Sequence, residues 1–117
     1  MAFAFEELKV YQRSLNFAVR VIEILDGIDA PRKHFRLIEQ LEASCTSVAS
    51  NISEGKGRYS KKEFMHYLYI ARGSLYETVT RLQIFRRLNW LNDDYFELLY
   101  KEAEEINKML SGLIKSI

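Results

Sequence analysis

The sequence predicts an all-α fold: a single antiparallel up-down-up-down four-helix bundle built from 117 residues. Three observations carry the prediction. Apolar residues recur at steps of three and four along four segments, the period of a helix with one buried face. The connections between segments are short, so consecutive helices must fold back on one another. Proline, which breaks helices, occurs once, at Pro31.

The first helix is expected over about 5–26. Leu8, Tyr11, Leu15, Ala18, Ile22 and Leu25 form its core stripe. Val10, Phe17, Val21 and Ile24 form a second stripe beside it, and Gly27 supplies a stop. The second helix is expected over about 32–54, with Ile38, Leu41, Cys45, Val48 and Ile52 inward. Small residues, Ala43, Ser44, Ser47, Ala49 and Ser50, crowd its middle and permit close helix approach. Gly55 and Gly57 are expected to end it.

Ser60-Lys-Lys-Glu63 reads as a capping box that opens a third helix over about 61–88. Phe64, Leu68, Ala71, Leu75, Thr78, Leu82 and Phe85 keep its stripe, and it should be roughly 40 Å long. After a turn at Asn89-Trp90-Leu91, Asn92 caps a fourth helix over about 93–115. Asp93 and Asp94 stand where its dipole favours negative charge. Phe96, Leu99, Ala103, Ile106, Leu110, Leu113 and Ile117 make its stripe. No internal repeat interrupts this plan, and one domain over 1–117 is expected.

Composition narrows the function classes. Seventeen basic and sixteen acidic residues leave a formal charge of +1, without the basic excess of a dedicated nucleic-acid binder. The one cysteine, Cys45, cannot form an intramolecular disulfide and fits a reducing compartment. The first residues lack the pattern of a signal peptide, and no stretch nears the ~20 apolar residues of a membrane span. A cytoplasmic location, with no membrane partner, is the expectation.

The polar residues of one segment stand out: Asn51-Ile-Ser-Glu-Gly55, then Glu63-Phe64, Tyr67-Leu68, Ile70-Ala71 and Gly73-Ser-Leu-Tyr-Glu77. With Leu8-Lys-Val-Tyr-Gln12, Gln40-Leu41 and Ala43, their order and wording resemble the motifs of the 23S rRNA-intervening-sequence protein family. Tyr11 stands where that family usually has Trp. The resemblance implies a cytoplasmic bacterial four-helix bundle, often a homopentamer. Some members are encoded within intervening sequences of 23S rRNA genes. Relatives serve as accessory proteins of diversity-generating retroelements and are thought to bind nucleic acid and a reverse transcriptase. Most members have no assigned activity. Glu42 stands where the family often has basic residues, which weakens any transfer of nucleic-acid binding.

Catalytic patterns are absent. Glu63 and His66 make a Glu-x-x-His pair, but di-iron bundles need two such pairs and two further inward Glu. His34 has no Glu three residues before it. His66 also lies about 200° around the helix from Phe64, facing outward. Cys45 sits on an apolar stripe, as a small core residue does. Arg58 and His66 are too far apart for the Arg-His motif of helical HEPN ribonucleases. Gly55-Lys-Gly57 lacks the strand and the Gly-Lys-Ser/Thr of a phosphate-binding loop. No catalytic, metal or cofactor residue is therefore assigned.

Two basic clusters and one polar set are left. Lys56, Arg58, Lys61 and Lys62 surround the turn between helices two and three, offset in part by Glu54 and Glu63. They are the candidate contact for RNA or DNA, with weak binding expected of one copy. Arg32, Lys33, Arg36, Arg86 and Arg87 gather at the other end among Asp26, Asp29, Asp93 and Asp94, a pattern that reads as a salt-bridge belt. Asn51, Glu54, Ser74 and Glu77 read as a structural hydrogen-bond network, with Arg72 or Arg81 as partners. Loss of Glu54 is expected to cost ~1–3 kcal/mol through orphaned partners. The second stripe of helix one, with Tyr67 and Ile70 of helix three, is expected to be exposed and to drive homo-oligomerisation. A pentamer is favoured, on the resemblance alone. The sequence is read as a non-enzymatic homo-oligomeric scaffold or accessory protein. A nucleic-acid-binding accessory protein, working with a reverse transcriptase or near rRNA, is the alternative.

Overall fold

The computed structural model describes residues 2–28 and 30–117. Four helices make up its frame: α1 (Lys9–Leu25), α2 (Phe35–Lys56), α3 (Lys61–Arg87) and α4 (Asp93–Ser116). Short 3-10 turns at Ala4–Glu7 and Arg32–His34 lead into α1 and α2. The expected first and second helices are thus each split near their start. Leu8 is extended and separates its turn from α1.

The helix ends follow local chemistry. Ser60 Oγ accepts from the Glu63 N–H (3.1 Å) at the start of α3, and Asn92 Oδ1 accepts from the Tyr95 N–H (2.8 Å) at the start of α4. Each satisfies a donor the helix leaves orphaned. The return bond from the Glu63 carboxylate is not made, so the capping box is half formed.

The end of α3 is closed by Asn89 in the left-handed conformation (φ 61°). The Asn89 N–H donates to the Arg86 carbonyl (3.0 Å) and the Trp90 N–H to the Phe85 carbonyl (2.9 Å). The Trp90 ring then meets the Phe85 ring edge-on, 5.1 Å between centroids. This is a Schellman closure with its apolar clasp.

Each helix packs against the next, and α4 returns to α1. Contacts between α2 and α3 run in opposite directions along the two helices: Gln40 with Arg81, Ser44 with Thr78, and Ser47 with Ser74. Arg86 with Asp93 and Arg72 with Ser111 show the same sense for α3 and α4. The molecule measures 45 × 24 × 22 Å.

The core stripes of α2, α3 and α4 are buried as expected, with only their end residues Ile38, Phe64, Leu113 and Ile117 half-buried. Helix α1 differs. Val10, Phe17 and Val21, expected on an outer stripe, are buried, and Ile24 packs against the core. Leu15, expected inside, is 45% exposed, and Val19 beyond it is 51% exposed. The reason is Ser14, which is buried at the centre of the inward arc. A polar residue there shifts the apparent apolar face around the helix when only side-chain type is read.

The end of α2 is also corrected. The helix continues through Gly55, which is buried, to Lys56. A Cβ at Gly55 would stand 2.5 Å from Tyr67 Cβ. The glycine does not end the helix; it lets α3 approach α2.

Candidate functional site

The polar residues of the α2–α3 segment meet along one seam. Asn51 Nδ2 donates to both the carbonyl and Oγ of Ser47, each at 2.8 Å. Ser47 Oγ and Ser74 Oγ lie 2.9 Å apart across the two helices. Thr78 Oγ1 directs its hydrogen between Ser44 Oγ (3.0 Å) and the Ser74 carbonyl (2.8 Å), while Ser44 donates to the Leu41 carbonyl (3.1 Å). Ser44, Ser74 and Thr78 are buried. Small side chains bring the backbones close, and hydroxyls are the polar groups short enough to bond within such a gap.

At the outer edge of the seam, Glu77 pairs with Arg81 (3.3 Å), whose guanidinium donates to the Gln40 carbonyl (3.1 Å). Arg81 is thus the arginine of this network. Arg72 instead reaches Ser111 Oγ (3.3 Å) and lies over the Tyr69 ring.

Asn51, Ser74 and Glu77 therefore share the seam, but Glu54 does not. Glu54 is exposed and bonds Arg58 (2.8 Å), whose guanidinium also donates to the Tyr67 hydroxyl (2.6 Å) and lies over the Tyr67 ring. An exposed pair of this kind contributes about 0–1 kcal/mol, less than expected for Glu54 from sequence. Ser44, Ser47 and Thr78 are the participants that sequence reading took only for small or core residues. Their signal is the spacing 44, 47, 51 on α2 facing 74, 78 on α3.

The turn between α2 and α3 carries the four cations proposed for nucleic acid, all exposed. Arg58 is held as described, and Lys56 Nζ sits 5.5 Å from the centre of the Phe64 ring. Lys61 and Lys62, in the first turn of α3, form no ion pair among the described residues. Tyr59, between Arg58 and Lys61 in the turn, is fully exposed. Phe3, 63% exposed, stacks on Phe5 (5.7 Å) beside the same turn. Phe3, Phe5, Lys56 and Arg58 line a cleft of about 420 Å³ there.

At the opposite end, the expected salt-bridge belt shrinks to Arg86, which pairs with Asp93 (2.9 Å) and reaches Glu97 (4.0 Å). Arg32, Lys33, Arg36 and Arg87 pair with none of Asp26, Asp93 or Asp94. Asp29 lies outside the described residues. The side chains at this end extend into solvent from a short turn, where charge alone does not fix geometry.

Cys45 is fully buried, and its thiol donates to the Glu42 carbonyl (3.3 Å). Burial, with a smaller push from Glu42, raises its pKa to about 12. The thiolate needed for nucleophilic chemistry is thereby suppressed. His66 is exposed against Tyr67, while His34 packs on Trp90 at the other end of the bundle. Among the described residues, no three His, Cys, Asp or Glu side chains are grouped to hold a metal ion. No helix is long and apolar enough to cross a membrane.

Between α3 and α4 runs a groove of about 300 Å³ lined by Tyr76, Val79, Thr80, Tyr100, Glu104 and Asn107 among others. Asn107 Oδ1 is buried there without a hydrogen-bond partner among the described residues. A buried acceptor left alone is costly.

Comparison with known proteins agrees with this arrangement. No curated protein matches the chain. A crystal structure from Bacteroides thetaiotaomicron VPI-5482, described as a protein of unknown function from the S23 ribosomal protein family, superposes with a TM-score of 0.84. The two chains are 31% identical over 91% of this chain and 98% of the other. The family model for the 23S rRNA-intervening sequence protein matches residues 6–112. The Asn51, Ser74 and Glu77 seam, all of α1, α2 and α3 and most of α4 lie within that span, and the chain belongs to the 23S rRNA-intervening sequence protein family.

Proposed function

We propose that this protein is a non-enzymatic, cytoplasmic scaffold or accessory factor that works as a homo-oligomer, with five copies favoured. The observation that carries the reading is the apolar surface the bundle leaves outside. Leu15 and Val19 form an outward ridge on α1, and Tyr69, Ile70, Tyr76 and Ile84 are exposed along α3. Helices α1 and α3 do not pack on each other, so these are two separate apolar faces, and a contiguous exposed apolar face marks an interface. The interface residues of α1 are therefore Leu15 and Val19, in place of the stripe expected from sequence.

Sedimentation velocity on the double variant Leu15→Glu, Val19→Glu tests the reading. The variant should fold, since neither side chain is in the core, and should sediment as a smaller species than the wild type. An unchanged sedimentation coefficient, with the wild type already monomeric, removes the scaffold reading.

The exposed cations Lys56, Arg58, Lys61 and Lys62 favour a second reading, contact with RNA or DNA. In one copy Glu54 and Glu63 offset them, so binding should be weak. Repetition around an oligomer would raise avidity without any new contact. Binding of this kind should weaken steeply with salt, because counterion release drives it. A loss of affinity when Lys61 and Lys62 are both reversed to Glu is the expected result; intact affinity would place the contact elsewhere.

A further inference from the structure

We propose that the α2–α3 turn is a platform for unpaired nucleic-acid strands, with Tyr59 as its stacking residue and Lys61 and Lys62 as its phosphate contacts. The inference rests on the nucleic-acid reading of the same corner and adds which form of nucleic acid is bound and by what.

The argument begins with Tyr59. A tyrosine usually buries its ring and finds a partner for its hydroxyl. Tyr59 does neither; it is fully exposed at the tip of the turn and makes no side-chain hydrogen bond among the described residues. Nothing in the fold needs an aromatic ring there. Phe3, which lines the cleft of about 420 Å³ with Lys56 and Arg58, presents a second exposed ring at the same corner.

Lys56 and Arg58 share the cleft with Phe3, Lys61 and Lys62 follow Tyr59 in sequence, and these cations divide into two kinds. Lys56 and Arg58 are committed to aromatic faces, at 5.5 Å over Phe64 and 4.8 Å over Tyr67. Lys61 and Lys62 are exposed and free of ion pairs among the described residues. Their backbone N–H groups lie in the first turn of α3, where the helix dipole adds to the positive potential.

Exposed rings beside mobile cations are the combination that binds single strands, because a splayed base offers a π-face to the ring and its phosphates reach the ammonium groups. A duplex keeps its bases stacked and presents only phosphates, so the rings would add nothing. A bilayer surface is less suited. Glu54 and Glu63 stand among the cations and would be pressed against a plane of negative charge, whereas a strand can thread past them.

The test is a fluorescence-anisotropy titration of the intact protein with a labelled single strand of about ten nucleotides, a hairpin duplex of matched length, and vesicles rich in phosphatidylserine. Tyr59→Ala should weaken the single strand about tenfold and leave the duplex unchanged, since stacking supplies ~1–3 kcal/mol per base. Tyr59→Trp should restore binding. Because the Tyr59 side chain touches nothing, neither variant should alter the melting temperature. If Tyr59→Ala binds the strand as wild type does while reversing Lys61 and Lys62 weakens it, the platform is wrong and the basic-corner reading survives. If the wild type binds no strand even at low salt, both fail. Vesicle binding that depends on Tyr59, without strand binding, assigns the corner to a membrane surface and overturns the proposal.

Discussion

Gly55 shows how much one hydrogen atom in place of a methyl can decide. Its missing Cβ is the room Tyr67 occupies, and the atom in the way would be Tyr67 Cβ, which cannot swing aside. Gly55→Ala should therefore destabilise the protein by about 1–3 kcal/mol, the usual cost of overpacking. That outcome would be read as a lower midpoint in urea unfolding. The same scale separates Asn51 from Glu54. Asn51→Ala removes the donor that fixes Ser47 at the seam and should cost about 1 kcal/mol or more. Glu54→Ala breaks only an exposed pair and should cost less than about 1 kcal/mol. Thermal unfolding of the two variants side by side should show Asn51→Ala as the less stable. Cys45 yields a further expectation. Its thiol is held protonated up to about pH 12 rather than 9.0. Native protein at pH 8 should therefore resist thiol reagents and react fully once unfolded. The sign for stability follows from the raised folded-state value. The Cys45 contribution is intact below pH 9.0 and is lost as pH climbs toward about 12.

At the scale of helices, legibility tracked how clearly one face differs from the rest. The stripes of α2, α3 and α4 are flanked by charged residues, so periodicity alone locates their cores. In α1 two apolar stripes lie side by side and both reach the core, Val10, Phe17 and Val21 from one and Ala18 and Leu25 from the other, while Leu15 turns out to solvent and Ser14 is buried. Residue type points one way and packing the other, and only the neighbouring helices settle which wins. The seam between α2 and α3 was half legible. Asn51, Ser74 and Glu77 are conspicuous as polar groups on apolar faces. Ser44, Ser47 and Thr78 are not, because small hydroxyls also serve as fillers in helices. Tyr59 could not be singled out from sequence, since an aromatic residue near a turn is as often folded back as extended. The Schellman closure of α3 invites a test at this scale. Asn89→Val would force a β-branched residue into the left-handed conformation and should destabilise by about 1–2 kcal/mol, whereas Asn89→Gly should be tolerated. Equal stability of both variants would mean that the turn is not held in that conformation.

For the molecule as a whole, net charge near zero and an outward apolar ridge belong together. A formal charge of +1 provides little repulsion to keep copies apart. Leu15 and Val19 on α1 and the groove with Asn107 between α3 and α4 lie on different helices. Contact of one such surface with the other would be head-to-tail, which closes into a ring if the rotation permits. Membership of the 23S rRNA-intervening sequence protein family fixes the four-helix frame without supplying a reaction. Assembly is accordingly the central claim. The most direct measurement is the mass of the intact wild-type protein by native mass spectrometry at micromolar concentration. The account predicts a single dominant species at a multiple of 13.8 kDa, with five copies favoured. A dominant species at 13.8 kDa, unchanged across a tenfold range of concentration, would contradict it.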